Sequence, residues 1–254
     1  LISACEKGGR WREALFLFHG LQAATMEASV VSYNASISAC EKGGQWLRAL
    51  RLLDELRGAK LEADVISYSA GVSACEKGGQ WQQALSLLCE MVDLQVQTSV
   101  ISYSAGISAC EKGGKWQQAL LLLSELFDVR LEPDVVSYCA GISACEKGGQ
   151  WKQALALLSA VWEARLEPGV IVYSAGVSAC AKCGQWQRSV SLMVEMWGAK
   201  VEPDVVSYNA GITACEKGGQ WQRALALLRE LRGARVELDV VTYSVGISAC
   251  EKGG

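Results

Sequence analysis

Apolar and polar positions alternate along this chain in two helical registers, and the whole pattern returns every 35 residues. In the stretch 30–64, Tyr33, Ile37 and Cys40 follow the i, i+4, i+7 spacing of one helical face, with Ser32 placed to cap the helix. Gly43-Gly44 then predicts its end, because glycine enters a left-handed turn without steric cost. A second helix is predicted from about Gln45, with Trp46, Ala49, Leu50, Leu53 and Leu56 on one stripe. Gly58 closes it, Leu61 tucks a short loop back toward the core, and the stretch ends at Asp64. Tyrosines at 33, 68, 103, 138, 173, 208 and 243 mark the same plan, each followed seven residues later by the cysteine of a Ser/Thr-Ala-Cys triplet. The expected capping residue is Ser or Thr in each copy except at Val172, and no segment reads as a strand.

Self-similarity at this period marks a solenoid, in which each repeat buries its apolar face only against its neighbours. The expected fold is all-α, a right-handed α-α superhelix of stacked helix-turn-helix repeats with one helix of each pair lining the concave side. The expected organisation is one continuous array: a partial repeat 1–29, full repeats 30–64, 65–99, 100–134, 135–169, 170–204 and 205–239, and a partial repeat 240–254. Starting in mid-helix at Leu1 and stopping at Gly254, where a helix pair should turn, the chain reads as a piece of a longer array.

Composition narrows the classes. Half of the 254 residues are apolar, yet no apolar run approaches the roughly 18 residues that cross a bilayer, so a soluble protein with no membrane partner is expected. The net charge of −3 neither predicts nor forbids nucleic-acid binding, which depends on a local stripe of cations. Of eleven cysteines, eight (Cys5, Cys40, Cys75, Cys110, Cys145, Cys180, Cys215, Cys250) recur at one place in the repeat. Stacked helices lie about 8–10 Å apart and a disulfide needs Cα atoms within about 7 Å, so these thiols read as small buried apolar groups in a reducing compartment. Cys89 and Cys139 lie off this ladder. Cys180 and Cys183 form a lone Cys-x-x-Cys, but zinc wants four ligands and His19 is the single histidine, so no metal and no cofactor are expected. Gly71, Gly106, Gly141, Gly176, Gly211 and Gly246, preceded in most copies by alanine, sit inside the first helix, where glycine costs about 1 kcal/mol against alanine. That ladder reads as close packing between successive helices, or else as a looser array. Trp46, Trp81, Trp116, Trp151, Trp186 and Trp221 start the second helix on its apolar stripe and read as core.

The length of 35, the tyrosine start, the Ala-Leu pair of the second helix and the endings Leu131–Asp134 and Val201–Asp204 resemble the pentatricopeptide repeat over the whole chain. Proline stands before the last residue only at Pro133, Pro168 and Pro203, a departure from the family pattern. The resemblance implies a non-catalytic binder of single-stranded RNA in a chloroplast or mitochondrion, acting in RNA processing, editing, stability or translation alongside other RNA-processing proteins. It also implies that one repeat reads one nucleotide through the residue after the tyrosine and the last residue of the repeat. The first position holds Asn34, Ser69, Ser104, Cys139, Ser174, Asn209 and Ser244; the second holds Asp64, Ser99, Asp134, Gly169, Asp204 and Asp239. By the family pattern Asn34/Asp64 and Asn209/Asp239 favour uracil, Ser104/Asp134 and Ser174/Asp204 favour guanine, and Ser69/Ser99 and Cys139/Gly169 are left open. The implied site is U-x-G-x-G-U. The branched residues Val31, Ile66, Ile101, Val136, Ile171, Val206 and Val241 would flank the bases, although aliphatic residues at a helix start also read as core.

A lysine two residues past each laddered cysteine (Lys7, Lys42, Lys77, Lys112, Lys147, Lys182, Lys217, Lys252) could track a phosphate backbone at one cation per nucleotide. Except for Lys182 each follows a glutamate, and such pairs also read as solvated surface. The competing function is a non-catalytic protein-interaction scaffold, which the acidic balance, with an isoelectric point near 5.4, would suit. An enzyme is disfavoured: the aspartates fall at repeat ends, and no nucleophile stands with a histidine partner.

Overall fold

The structure is a computed structural model that describes residues 1–24, 28–233 and 240–253; the side chains of Val241, Cys250 and Lys252 lie outside the described set. Among the described residues there are fifteen helices and no strand. The first helices of the hairpins are α1 (Ile2–Lys7), α3 (Val30–Lys42), α5 (Val65–Lys77), α7 (Val100–Lys112), α9 (Val135–Lys147), α11 (Val170–Lys182), α13 (Val205–Lys217) and α15 (Val240–Gly253). The second helices are α2 (Trp11–Ala23), α4 (Trp46–Gly58), α6 (Trp81–Asp93), α8 (Trp116–Asp128), α10 (Trp151–Glu163), α12 (Trp186–Gly198) and α14 (Trp221–Gly233). The chain forms two compact bodies, Leu1–Pro133 and Asp134–Gly254. Within each, consecutive first helices lie side by side, and each second helix packs on the first helix of its own hairpin and on that of the next.

The caps differ from the sequence expectation. Ser32 and its equivalents are the third residue of the helix, and the N-cap is the last residue of the preceding repeat. Ser29, Asp64, Ser99, Asp134 and Asp204 each accept the backbone N–H of the residue three positions on. At Asp64 the arrangement is reciprocal, since the Asp64 N–H also donates to Ser67 Oγ at 3.3 Å, closing a capping box. The junction of Gly169 with Val172 has neither half of this device. Burial pushes the Asp64 carboxyl up, but hydrogen bonds from the Ser67 N–H, the Ser67 hydroxyl, the Asn34 amide and the Ile66 N–H outweigh it and hold the group below the usual carboxylate range.

The two glycines after the first helix serve different ends, and only the second is kept in every described turn, since Cys183 takes the place of the first after α11. The second is left-handed, as at Gly44 with φ +68°, which lets Gln45 N–H reach the Cys40 carbonyl at 2.8 Å. The first has no room for a side chain: a Cβ on Gly78 would stand 2.4 Å from Trp46 Cδ1, and Gly43, Gly113 and Gly218 meet Trp11, Trp81 and Trp186 in the same way. Trp11, Trp46, Trp81 and Trp186 are therefore half-buried lids over the next repeat's turn and do not sit in the centre of the stripe, and Trp221 is exposed. That stripe is Ala49, Leu52, Leu53 and Leu56, with Leu52 in the place expected for Leu50. The second helix does not end on glycine: Gly58 is still helical, and the left-handed residue is Lys60, with Gln95, Arg130, Arg165 and Lys200 in the equivalent places.

The glycines inside the first helices make close packing, but not against each other. Gly71 receives Leu53 and Leu87, Gly106 receives Leu88 and Leu122, and Gly211 receives Met193 and Leu227, in each case from the second helices of the preceding and the same repeat. The cysteines Cys40, Cys75, Cys110, Cys145, Cys180 and Cys215 are buried and free, and burial raises each thiol to about 11. A thiol held protonated in this way is an apolar filler and a poor nucleophile.

Two outcomes are expected. Gly78→Ala should lower stability by about 1–3 kcal/mol in chemical denaturation, because the added methyl displaces the Trp46 indole. Asp64 has a lowered folded-state pKa, so its charge contributes stability that is complete above about pH 4 and fades as the pH falls through the folded value. The stability gap between the wild type and Asp64→Asn, an equally good cap, should accordingly be present at pH 7 and shrink at pH 3.

Candidate functional site

The junction between repeats brings together the residue after the tyrosine, the residue that caps the next helix, and the third residue of that next helix. At the first junction Asn34 Nδ2 donates to both Asp64 carboxylate oxygens, at 3.0 and 3.2 Å. The Ser67 hydroxyl lies 2.5 Å from Asn34 Oδ1 and 2.9 Å from Asp64 Oδ1. The Asp64 carboxylate thus fixes which end of the Asn34 amide faces which way, and the Asn34 side chain is itself buried, 8% exposed. In the next repeat Ser69 Oγ lies 2.7 Å from Ser102 Oγ, which lies 2.8 Å from Ser99 Oγ. At the last described junction Thr242 Oγ1 donates to Asn209 Oδ1 at 2.7 Å; Asp239 lies outside the described residues.

The serine positions behave differently. Ser104 donates to the Ile101 carbonyl at 3.1 Å, Ser174 to the Val170 carbonyl, and Ser244 to the Val240 carbonyl at 2.7 Å, all within their own helices. Asp204 accepts from the backbone and hydroxyl of Ser207, and Asp134 from those of Ser137. Cys139 is half-buried and Gly169 is an exposed cap without a side chain. Sequence reasoning missed the bridging role of Ser67, Ser102 and Thr242. The signal was present as an Asp/Ser-x-x-Ser/Thr pattern across the repeat boundary.

Val31, Ile66, Ile101, Val136, Ile171 and Val206, the second residue of each first helix, are 57–72% exposed, which overturns the core reading. Val241 has no described side chain. Between α3, α5 and α7 a hollow of about 340 Å³ has Ile66 and Ile101 on its walls with Ser69 and Ser99 among its polar groups. In the second body a hollow of about 280 Å³ is lined by Val206, Asn209, Thr213, Lys182 and Lys217.

Four of the laddered lysines reach back one repeat to a glutamate. Lys42 meets Glu6 at 2.9 Å, Lys77 meets Glu41 at 2.6 Å, Lys112 meets Glu76 at 2.6 Å and Lys182 meets Glu146 at 2.9 Å. Lys147, at the end of α9, is also engaged. Lys217 is the exception: Ala181 occupies the place of the expected glutamate, and the ammonium donates to the Lys182 carbonyl at 3.3 Å. The described ion pairs neutralise Lys42, Lys77, Lys112 and Lys182, while Lys217 lacks the glutamate of the preceding repeat. Cys180 is buried while the Cys183 thiol donates to the Gly149 carbonyl at 3.2 Å. Among the described residues no group of three or more His, Cys, Asp or Glu could hold a metal ion, and no helix is long and apolar enough to cross a membrane.

Comparison with known proteins bears on the family and the fold. A family model described as PPR repeat matches residues 1–23, 31–61, 66–96 and 171–201. The pentatricopeptide repeat domain matches 86–147 and 121–182, and the PPR repeat family matches 203–252. No curated protein sequence matches. Among solved structures, the pentatricopeptide repeat protein PPR10 in complex with an 18-nt psaJ RNA element is similar at a TM-score of 0.57 and 21% identity, covering 93% of this chain. This chain spans only 39% of that protein. The PPR domain of Arabidopsis thaliana protein-only RNase P 1, in complex with tRNA, is similar at a TM-score of 0.63 and 14% identity, over 71% of this chain and 95% of that one. Repeat period, helical hairpins and family matches along almost the whole sequence lead to one conclusion: the chain belongs to the pentatricopeptide repeat family.

Proposed function

We propose that this protein binds single-stranded RNA along the edge formed by the first turns of its first helices, about one nucleotide per repeat, and performs no chemistry itself. The observation that carries this reading is the hollow with exposed Ile66 and Ile101 on its walls and Ser69 among its lining, since splayed bases need apolar faces to stack on and polar groups at their edges. Two structural relatives with RNA in their complexes support it. The Asn34 amide, which Asp64 holds, carries a donor and an acceptor together, and that pairing suits the edge of uracil. Asn209 takes the same role with Asp239. Ser104 with Asp134 and Ser174 with Asp204 favour guanine, while Ser69/Ser99 and Cys139/Gly169 discriminate weakly. In this reading Lys217 carries the strongest phosphate contact, because the other paired lysines must first release a glutamate. The proposed setting is a chloroplast or mitochondrion, in RNA processing, stability, editing or translation.

Fluorescence anisotropy with an RNA carrying U-x-G-x-G-U tests the reading. Binding should weaken with salt at a slope of about −0.7 per neutralised phosphate. Asn34→Ser together with Asn209→Ser should shift preference at two positions from uracil toward guanine. Lys217→Ala should weaken all sequences alike and flatten the salt slope by about one phosphate. RNA binding that is absent, or indifferent to all three changes, would remove the groove assignment.

A further inference from the structure

A cavity of about 410 Å³ opens between the second helices α6 and α8 of the first body, away from the junctions described above. Its walls are mostly leucine and valine, among them Leu88, Val92 and Leu121, and Tyr103, Gln118 and Glu125 bring polar atoms to it. One repeat earlier the corresponding place is full. There the Arg57 guanidinium lies 5.2 Å from the Tyr68 ring centre and donates to Glu90 Oε2 at 2.6 Å and to the Tyr68 hydroxyl at 3.2 Å. The Tyr68 hydroxyl donates in turn to Glu90 Oε1 at 3.2 Å.

Advancing each member by one repeat turns Arg57, Tyr68 and Glu90 into Val92, Tyr103 and Glu125. The tyrosine and the carboxylate remain, and the cation between them is gone. In the second body the same place holds Trp162 and Trp197, whose side chains stand beside Tyr173 and Tyr208. Val92 leaves the space empty. The polar groups there are short of partners: the Gln118 Oε1 is buried with no hydrogen bond. Burial, and then the neighbouring Asp128, hold the Glu125 carboxyl above its ordinary range, as befits a carboxylate without a counter-charge.

We propose that this cavity binds an alkylguanidinium group, the chemistry shared by an arginine side chain and by small guanidino compounds. Glu125 takes the charge, Gln118 Oε1 and the Tyr103 hydroxyl accept remaining N–H groups, and the leucine and valine walls cover the alkyl stem. A planar guanidinium has five donors for these acceptors and lies well on a tyrosine ring, as Arg57 does in its own repeat. The site is separate from the proposed RNA groove and stands or falls independently of it.

Isothermal titration of the 254-residue chain with agmatine, and separately with the blocked peptide acetyl-Gly-Arg-Gly-amide, tests the proposal. At least one probe should bind one to one. A stronger response to agmatine assigns the site to a small compound; a stronger response to the peptide assigns it to a partner's arginine. Glu125→Gln should weaken binding by roughly tenfold or more, from loss of a charged hydrogen bond. Val92→Arg should supply the missing guanidinium from within, abolishing binding and raising Tm, with RNA affinity unchanged in both variants. Circular dichroism reports whether Val92→Arg folds, and Glu125→Gln decides alone if it does not. Failure of both probes to bind the wild type, or undiminished binding to the variants, would overturn the assignment.

Discussion

Every first helix within a body has a first helix on each available flank and second helices behind it, and this enclosure governs almost everything else. A helix surrounded in that way cannot carry bulk on its back, so Gly71, Gly106 and Gly211 admit leucine or methionine side chains from two second helices at once. The about 1 kcal/mol that glycine costs inside a helix is offset by the apolar area these contacts bury. The lid of Trp46 over Gly78 follows the same logic at the turn. No repeat completes its own core, so stability accumulates through nearest-neighbour interfaces.

Enclosure also decides which atoms face outward. In the interior repeats the second residue of the first helix and its C-terminal lysine are the exposed ones, so Ile66 and Ile101 face outward while Tyr68 and Tyr103, two residues on, are buried. At the same spot the last residue of one repeat caps the next helix and, at Asp64, holds the Asn34 amide. One side chain thereby joins local helix stability to the geometry of the candidate site. Gly169 does neither.

The charge ladder illustrates how a row of cations differs from a positive surface. Lys42, Lys77, Lys112 and Lys182 each meet a glutamate of the preceding repeat, so the row carries little net field, in keeping with a total charge of −3. The repeats keep the first helix and its turn nearly constant and vary mainly in the second helix and the loop after it, and those differences alter local chemistry. Ala181 leaves Lys217 without a carboxylate, and Val92 in place of Arg57 opens a cavity over an unmatched one.

The sequence by itself determined the all-helical hairpin, its period, the turn glycines and the burial of the cysteine ladder, because helical periodicity and glycine chemistry act within a dozen residues. It also named the polar pairs at repeat ends, through family resemblance. It misplaced the cap, since Ser29 and Ser32 both suit that role and only backbone hydrogen bonds distinguish N-cap from third helical residue. The partner of each lysine, the exposure of Val31 and Ile66, the leucines seated on each glycine and the empty place beside Glu125 were decided by tertiary structure alone. Each depends on residues from half a repeat to a full repeat apart in sequence coming together across a helix interface, and a local pattern of apolar and polar residues carries no information about such distant neighbours.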